Sequence, residues 1–303
     1  MKRIVILINF LLVCGTGYAF DSYIAAAARA EGANGTFFQS DLRLVNLSST
    51  AADVDLTFLP SNTDNQSALP VRVSIGPRES LDIDDVLGNL FSVTSGVGAI
   101  RIVSESDLAV TSRTYTPSGD PACLGTFGQS IPASPADDAV EKGVIPNVSV
   151  SVGAGTGFRS NFGAVNPSTA EVSVRVTLRD GSGAAVGSAD LTLPPYGHIQ
   201  QSVASLFNAP LIETTNGFIE VDASAALLSY ASVVDNLSGD PIFVPAQPDT
   251  GTPRDGLTII AKQWVFEPEV IEVNVGEPVT LQVRAVDVDH GISFSGVGPF
   301  TCT

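Results

Sequence analysis

Side chains able to do nucleophilic, imidazole or thiolate chemistry are few in this chain of 303 residues. It carries 2 histidines, His198 and His290, and 3 cysteines, Cys14, Cys123 and Cys302. A mechanism that needs several imidazoles is therefore close to excluded. A Ser/His/Asp triad would have to use one of the two histidines, and no Gly-x-Ser-x-Gly elbow accompanies them. Carboxylates are plentiful, 32 Asp plus Glu against 15 Lys plus Arg, but the order of the chain singles out no pair for acid–base work. Asp82, Asp84 and Asp85 form one local acidic cluster of the oxygen-donor type that calcium takes. Capping of a helix start explains the same residues. The stretch Val152-Gly-Ala-Gly-Thr-Gly157 lacks a lysine and leads into a strand, so it has no helix N-terminus to cradle a phosphate. Asn-x-Ser/Thr sequons at Asn34, Asn46 and Asn147 fit exposed strand ends.

The N-terminus reads as an export signal. Lys2 and Arg3 precede an apolar run from Ile4 to Val13, and Gly17-Tyr18-Ala19 supplies small residues for cleavage before Phe20. That run is too short to span a hydrocarbon core of about 30 Å as a helix, and no later stretch is long enough. With the leader removed, 13 basic residues stand against 32 acidic ones, a net of −19. Such a surface repels phosphate backbones and anionic headgroups, which argues against nucleic-acid binding and electrostatic membrane docking. Only Cys123 and Cys302 remain after cleavage. An oxidising compartment would permit a bond between them, but two thiols are no disulfide framework.

Internal repetition organises the rest. Phe38-Gln-Ser-Asp-Leu-Arg-Leu-Val-Asn46 returns 120 residues later as Phe158-Arg-Ser-Asn-Phe-Gly-Ala-Val-Asn166, and Ser118-Gly-Asp-Pro121 returns as Ser238-Gly-Asp-Pro241. Between these blocks, Leu90-Phe91 recurs as Leu206-Phe207, and Gly98, Ile100 and Ile102 recur as Gly217, Ile219 and Val221. Asp53–Phe58 and Val172–Leu178 alternate apolar with polar residues at the period of a half-buried strand. Val71–Ile75, Ala99–Val103 and Leu108–Tyr115 add β-branched runs bounded by turn residues. The one helical candidate is 84–91, with Asp84 as its cap and Val86, Leu87, Leu90 and Phe91 as its apolar stripe. About seven short strands per 100 residues, with no strand–helix alternation, predict an all-β chain of two tandem immunoglobulin-like antiparallel sandwiches. The expected boundaries are 20–131 and 144–244, with Pro/Ala/Asp/Gly-rich linkers at 132–143 and 245–256.

The segment 257–303 differs in composition and holds the only Trp. Leu257–Trp264 and Phe266-Glu-Pro-Glu-Val-Ile271 are followed by Val273-Asn-Val-Gly-Glu-Pro-Val279 and Asp287-Val-Asp-His-Gly291. This order resembles the first half of a cupredoxin domain of the kind in cytochrome c oxidase subunit II. The resemblance implies a copper ligand at His290 and places Phe300-Thr-Cys302 at the start of the second ligand loop. His290 and Cys302 stand only 12 residues apart, where the family has further strands between the two positions, and the only Met is Met1. A copper site needs imidazole and thiolate with further ligands to complete it, so these two residues amount to half a site.

Two readings follow. In the first, the chain is a secreted, periplasmic or cell-surface non-catalytic protein, a spacer or interaction module whose partner is a protein or glycan. In the second, it is a periplasmic copper-binding electron-transfer protein whose metal site is completed beyond residue 303. His198 follows Pro195-Tyr-Gly, aligns with Ser80 of the first copy, and reads as a turn residue.

Overall fold

The computed structural model describes residues 20–32, 35–118, 125–151, 156–207 and 214–249, and the strand backbone of 257–262, 265–267 and 281–285. Cys14, Cys123, His290 and Cys302, and with them the expected leader and copper ligands, lie outside the described residues. The described chain is almost entirely β.

The first repeat runs β1 (Phe20–Glu31), β2 (Phe37–Asn46), β3 (Ala52–Pro60), β4 (Val71–Ile75), β5 (Ser80–Ile83), a one-turn helix α1 (Val86–Asn89), β6 (Gly96–Ser104), β7 (Leu108–Pro117) and β8 (Thr126–Pro135). The second runs β9 (Val140–Val150), β10 (Phe158–Val165), β11 (Val172–Arg179), β12 (Ala185–Leu193), β13 (His198–Ser202), α2 (Val203–Leu206), β14 (Thr214–Asp235), β15 (Pro241–Pro245) and the short β16 (Gln247–Pro248). In the first repeat the order β4-β3-β6-β1 faces β5-β2-β7-β8. β1 joins the two layers, pairing with β8 at Ser22–Ile24 and with β2 at Arg29–Glu31. The second repeat reproduces both layers as β12-β11-β14-β9 and β13-β10-β14-β15. There a single 22-residue β14 does the work of β6 and β7: Phe218–Ala223 pairs with β11 and Leu228–Asp235 with β10.

Alternation explains why these segments are strands with one face inward. β3 buries Ala52, Val54, Leu56 and Leu59, and β11 buries Val172, Val174, Val176 and Leu178. A pleated strand places successive side chains on opposite faces, so Ala52, Val54 and Leu56 form one face of a layer, as do the four residues of β11, while Leu59 is buried on the other face of β3. At roughly 25 cal/mol per Å² of apolar surface removed from water, these two faces and their partners supply most of the drive to fold.

Two devices occur in both copies. Asn46 and Asn166 are each wholly buried. The Nδ2 of Asn46 donates to the carbonyls of Thr50, Ile75 and Gly76, while its Oδ1 accepts from the Ser48 amide and hydroxyl. Asn166 makes the same five contacts, to Ala170, Leu193 and Pro194 and from Ser168. Each asparagine thus supplies partners for backbone groups that leave the ladder at the β2–β3 or β10–β11 corner, where an unmet buried polar group would be costly. The expectation that Asn46 is an exposed glycosylation position is overturned: its amide is enclosed and fully engaged. The second device is Gly98 and its counterpart Gly217. A Cβ on either would collide with the carbonyl of Leu59 or Arg179 on the adjoining strand, so only glycine allows that approach.

Two other expectations change. The helix predicted over 84–91 is a single turn, and its cap is Asp85, whose carboxylate accepts from the Gly88 amide. Asp84 turns outward to Arg43 at 2.7 Å. Leu90 and Phe91 still pack on the core, but as the exit from the turn. The segment 132–143, expected as a linker, is the end of β8, one 3-10 turn at Ala136–Asp138 and the start of β9. Its prolines stand within strand pairings: Pro132 lies opposite Thr111 of β7 and Pro135 opposite Ser22 of β1.

Residues up to 248 form one compact unit and those from 249 a second. Within the second, β17 (Leu257–Lys262) lies between β18 (Val265–Glu267), antiparallel to it, and β19 (Leu281–Ala285), parallel to it.

The duplicated corner carries a direct test. Asn46→Ala and Asn166→Ala each strand three carbonyls and two donors, and each is expected to cost about 3 kcal/mol in urea unfolding. Asn147→Gly, at an exposed strand position whose φ of 58° glycine accepts, is expected to change stability little; equal losses at all three would contradict the corner's role.

Candidate functional site

The two copies are not equivalent on their outer faces. In the first, the β2–β7–β5 face is charged. Asp41 pairs with Arg113 across one ladder, and Arg43 lies opposite Thr111 and Asp82. Arg43 is ringed by Asp41 at 3.5 Å, Asp82 at 3.5 Å and Asp84 at 2.7 Å. In the second copy the matching ladder positions hold Asn161 opposite Ser232, and Gly163 opposite Tyr230 and Gln200. Every charge is gone from them. The reason is burial: Val165, Leu228 and Tyr230 belong to the same apolar cluster as the core of the first repeat. Gly163 is required because any larger residue would strike the Tyr230 ring.

The surface that receives this face is β1. Its residues Ser22 to Ala27 are buried without a break, the mark of a strand covered on both sides. One side is the core of the first repeat and the other lies under the second. The run Ala25-Ala-Ala-Ala28 keeps that strand thin enough for another sheet to approach. Sequence reasoning passed over this run, and four consecutive alanines in a strand were the available signal.

His198 stands at the centre of the contact. It is 1% exposed, and Ser61 of the first repeat forms a bridge with it. The Asn62 amide donates to the His198 carbonyl at 2.8 Å, and Asn65 donates to the carbonyls of Pro195 and Tyr196. The side chain is held at both nitrogens. Tyr230 gives its hydroxyl proton to Gln200 Oε1 at 2.9 Å. It therefore accepts from His198 Nε2 at 3.1 Å, and His198 Nδ1 accepts from the Ser61 hydroxyl at 2.6 Å. This relay runs Ser61, His198, Tyr230, Gln200 and fixes the neutral ring in one tautomer. Burial drives the His198 pKa down to about 3, opposed only by the Ala25 carbonyl. Burial likewise raises the Tyr230 phenol far above its ordinary value. His198 is thus a structural residue of the junction, and no turn residue. Beside it, Arg101 is held in a two-point contact by Asp21 at 3.0 and 2.6 Å and covers the Tyr196 ring at 5.0 Å. The hydrogen bonds it donates to Asp21 keep that guanidinium charged.

The two repeats do not fill the junction completely. A cleft of about 270 Å³ lies between β1, β7 and β8 of the first and the outer face of β10, β13 and β14 of the second. Alanines of β1 and Val234 give it apolar walls, Gln129, Asn161, Gln200 and Ser232 give it neutral polar ones, and Arg159 and Glu31 bring one charge of each sign. Ser232 donates to Gln129 Oε1 at 3.1 Å across the repeats. The arrangement can hold a small polar ligand.

The acidic trio does not gather as a cation site. Asp82 and Asp84 face Arg43, and Asp85 lies 2.9 Å from Arg29. Among the described residues no group of three or more His, Cys, Asp or Glu side chains is placed to hold a metal, and no helix is long and apolar enough to cross a membrane. His290 and Cys302 lie outside the described residues, so the structure neither assembles nor separates them.

No protein-family model matches the chain, and no curated protein matches it. Among solved structures, Thermotoga maritima 1070 aligns at 16% identity and a TM-score of 0.30, covering 38% of this chain and 93% of that one. Bacteroides uniformis beta-glucuronidase 2, covalently bound to cyclophellitol-6-carboxylate aziridine, aligns at 6% identity and a TM-score of 0.15. This chain spans 25% of that enzyme's length, with 73% of its own residues covered. Likenesses of this size assign neither a family nor an activity.

The buried imidazole has a pH signature. Below the ordinary histidine pKa near 6.5 the unfolded chain takes a proton that folded His198 refuses. Stability is fully present above that pH and is lost as pH falls toward 3, by up to about 1.4 kcal/mol per unit from this group. Urea midpoints between pH 7 and 4 should fall less steeply in His198→Gln than in the parent. Parallel profiles would show that His198 titrates normally.

Proposed function

We propose that the chain is an exported, non-catalytic interaction module in which two β-sandwiches act as one recognition body. The observation that carries this reading is the asymmetry of the duplication. The second copy has exchanged the charged outer face of the first for one that packs on β1, leaving a donor-lined cleft at the seam. Selection for a joint between the copies accounts for changes at matched positions; duplicated chemistry does not, because no reactive group recurs in both. A broad junction also suits a spacer, since a stiff pair holds a binding surface at a defined place. Export rests on the basic–apolar–small order of residues 2–19. The acidic surface disfavours polyanionic partners such as nucleic acids, so recognition rests on hydrogen bonds, shape and local charge.

The test takes the chain freed of its leader. It is applied to immobilised glycans and cell-surface proteins, and to chromogenic esters, glycosides and peptides. Saturable binding without turnover is expected. Hydrolytic turnover abolished by one substitution would replace this reading with an enzymatic one.

A further inference from the structure

The cleft at the seam has a chemistry of its own. Its only guanidinium, Arg159, is half-buried and donates to Asn236 Oδ1 at 2.9 Å. Among the described residues it has no carboxylate at ion-pair distance, whereas Arg29, Arg43, Arg72, Arg101, Arg175 and Arg179 all do. Arg78 and Arg113 also lack such a partner but are exposed, so Arg159 is the one partly desolvated arginine among the described residues left without a salt bridge. Burial lowers its pKa and the Asp235 carboxylate opposes that, and neither Asp235 nor the Glu31 that shares the cleft lies within ion-pair distance of it.

The carboxamides around it have a definite polarity. The oxygen of Gln200 accepts the Tyr230 hydroxyl and the oxygen of Gln129 accepts the Ser232 hydroxyl. Both oxygens are therefore engaged, and the amino ends of both residues have no protein acceptor among the described residues. Gln129 is 8% exposed, so its free N–H groups are nearly out of bulk water. The side chain of Asn161 has no protein partner at all among the described residues. The cleft thus offers a guanidinium and at least two free amide N–H₂ groups over an alanine floor, with the exposed Glu31 as the single carboxylate in its lining. A complementary ligand presents a carboxylate to Arg159, several hydroxyl or ring oxygens to the amides, and an apolar C–H face to the alanines. The volume, about 270 Å³, lies at the small end for ligand sites and suits one sugar-sized unit.

From this geometry we infer that the seam cleft binds a sugar acid, a compact hydroxylated carboxylate, whether free or as the terminal unit of a glycan. This deepens the recognition-module reading and rests on it. Arg159 pairs with the carboxylate; Gln129, Gln200 and Asn161 take the hydroxyl oxygens. The sites differ between copies for a physical reason: Gln39 stands where the second copy has Arg159, and its amide is engaged by the Tyr115 hydroxyl at 2.6 Å.

D-glucuronate is the probe, with D-glucose as its neutral counterpart and acetate as the bare carboxylate, in calorimetric titration and saturation-transfer NMR on the chain. Glucuronate is expected to bind about tenfold more tightly than either. Arg159→Gln should bring glucuronate down to the level of glucose with an unchanged urea midpoint, and Arg159→Lys should lose only part of that gain. A glucuronate-capped oligosaccharide that competes with free glucuronate identifies the terminal-unit source; no competition identifies the free acid. Absence of glucuronate binding, equal binding of glucose, or binding undiminished in Arg159→Gln would overturn the assignment. If glycans or proteins still bind Arg159→Gln, recognition lies elsewhere and the module reading stands. Catalytic turnover would remove that reading whatever the cleft binds.

Discussion

Laying one β-sandwich across another removes a whole sheet face from water, and everything at the seam answers to that constraint. Apolar area alone could be met by Val165, Leu228 and Tyr230 against the alanine side of β1. The difficulty is the polar groups trapped with them. The Ser61–His198–Tyr230–Gln200 relay solves it by leaving each buried donor with an acceptor. A relay of this kind is strict: removing one member leaves its neighbours buried and unpaired, which costs more than a solvated hydrogen bond is worth. The angle at which the repeats meet is therefore pinned by hydrogen-bond geometry, while the apolar contact supplies the drive.

Duplication separates what the fold needs from what the pairing needs. Asn46 and Asn166 repeat their five bonds, and Gly98 and Gly217 repeat their close approach, because each sandwich has the same corner to satisfy and the same crossing to permit. The positions that differ are those where one copy meets the other. Arg43 becomes Gly163, Thr111 becomes Tyr230, Asp82 becomes Gln200 and Arg113 becomes Ser232. Burying Arg43 with its three carboxylates would carry a desolvation cost that Coulomb attraction recovers only in near-ideal geometry. Exchange for glycine, tyrosine and amides avoids that cost.

The cleft is a by-product of the same packing. Two convex sheet surfaces with twisted strands cannot remain in contact along their full length. Where they part, side chains placed for the seam are left facing a gap, and their donors have no protein acceptors. Arg159 marks the end of the neutralised face, where water still reaches the guanidinium and a counter-charge would be held at lower effective dielectric than on the open surface.

Strand identity was legible from local sequence. Val54, Leu56 and Phe58, and Val174, Val176 and Leu178, alternate in a way that only a half-buried strand satisfies, and the 120-residue offset showed that the pattern occurs twice. Capping chemistry at 84–91 was legible too, though the cap moved to Asp85 because Arg43 claims Asp84. Pairing order was not, since periodicity says which face is buried and nothing about which strand lies alongside. The prolines of 132–143 read as a linker because Pro is rare within paired strands, and their pairing with Thr111 and Ser22 depends on strands distant in sequence. His198 and Asn46 were misread for one reason: a polar residue after a turn looks exposed until its partners, more than a hundred residues away for Ser61 and about thirty for Ile75, are brought to it. By itself the sequence determined the all-β class, the duplication and the scarcity of reactive groups, all properties of local pattern and composition. Only the tertiary structure decided that one face of one copy lies on the alanine strand of the other, because burial of a polar group is set by what folds over it.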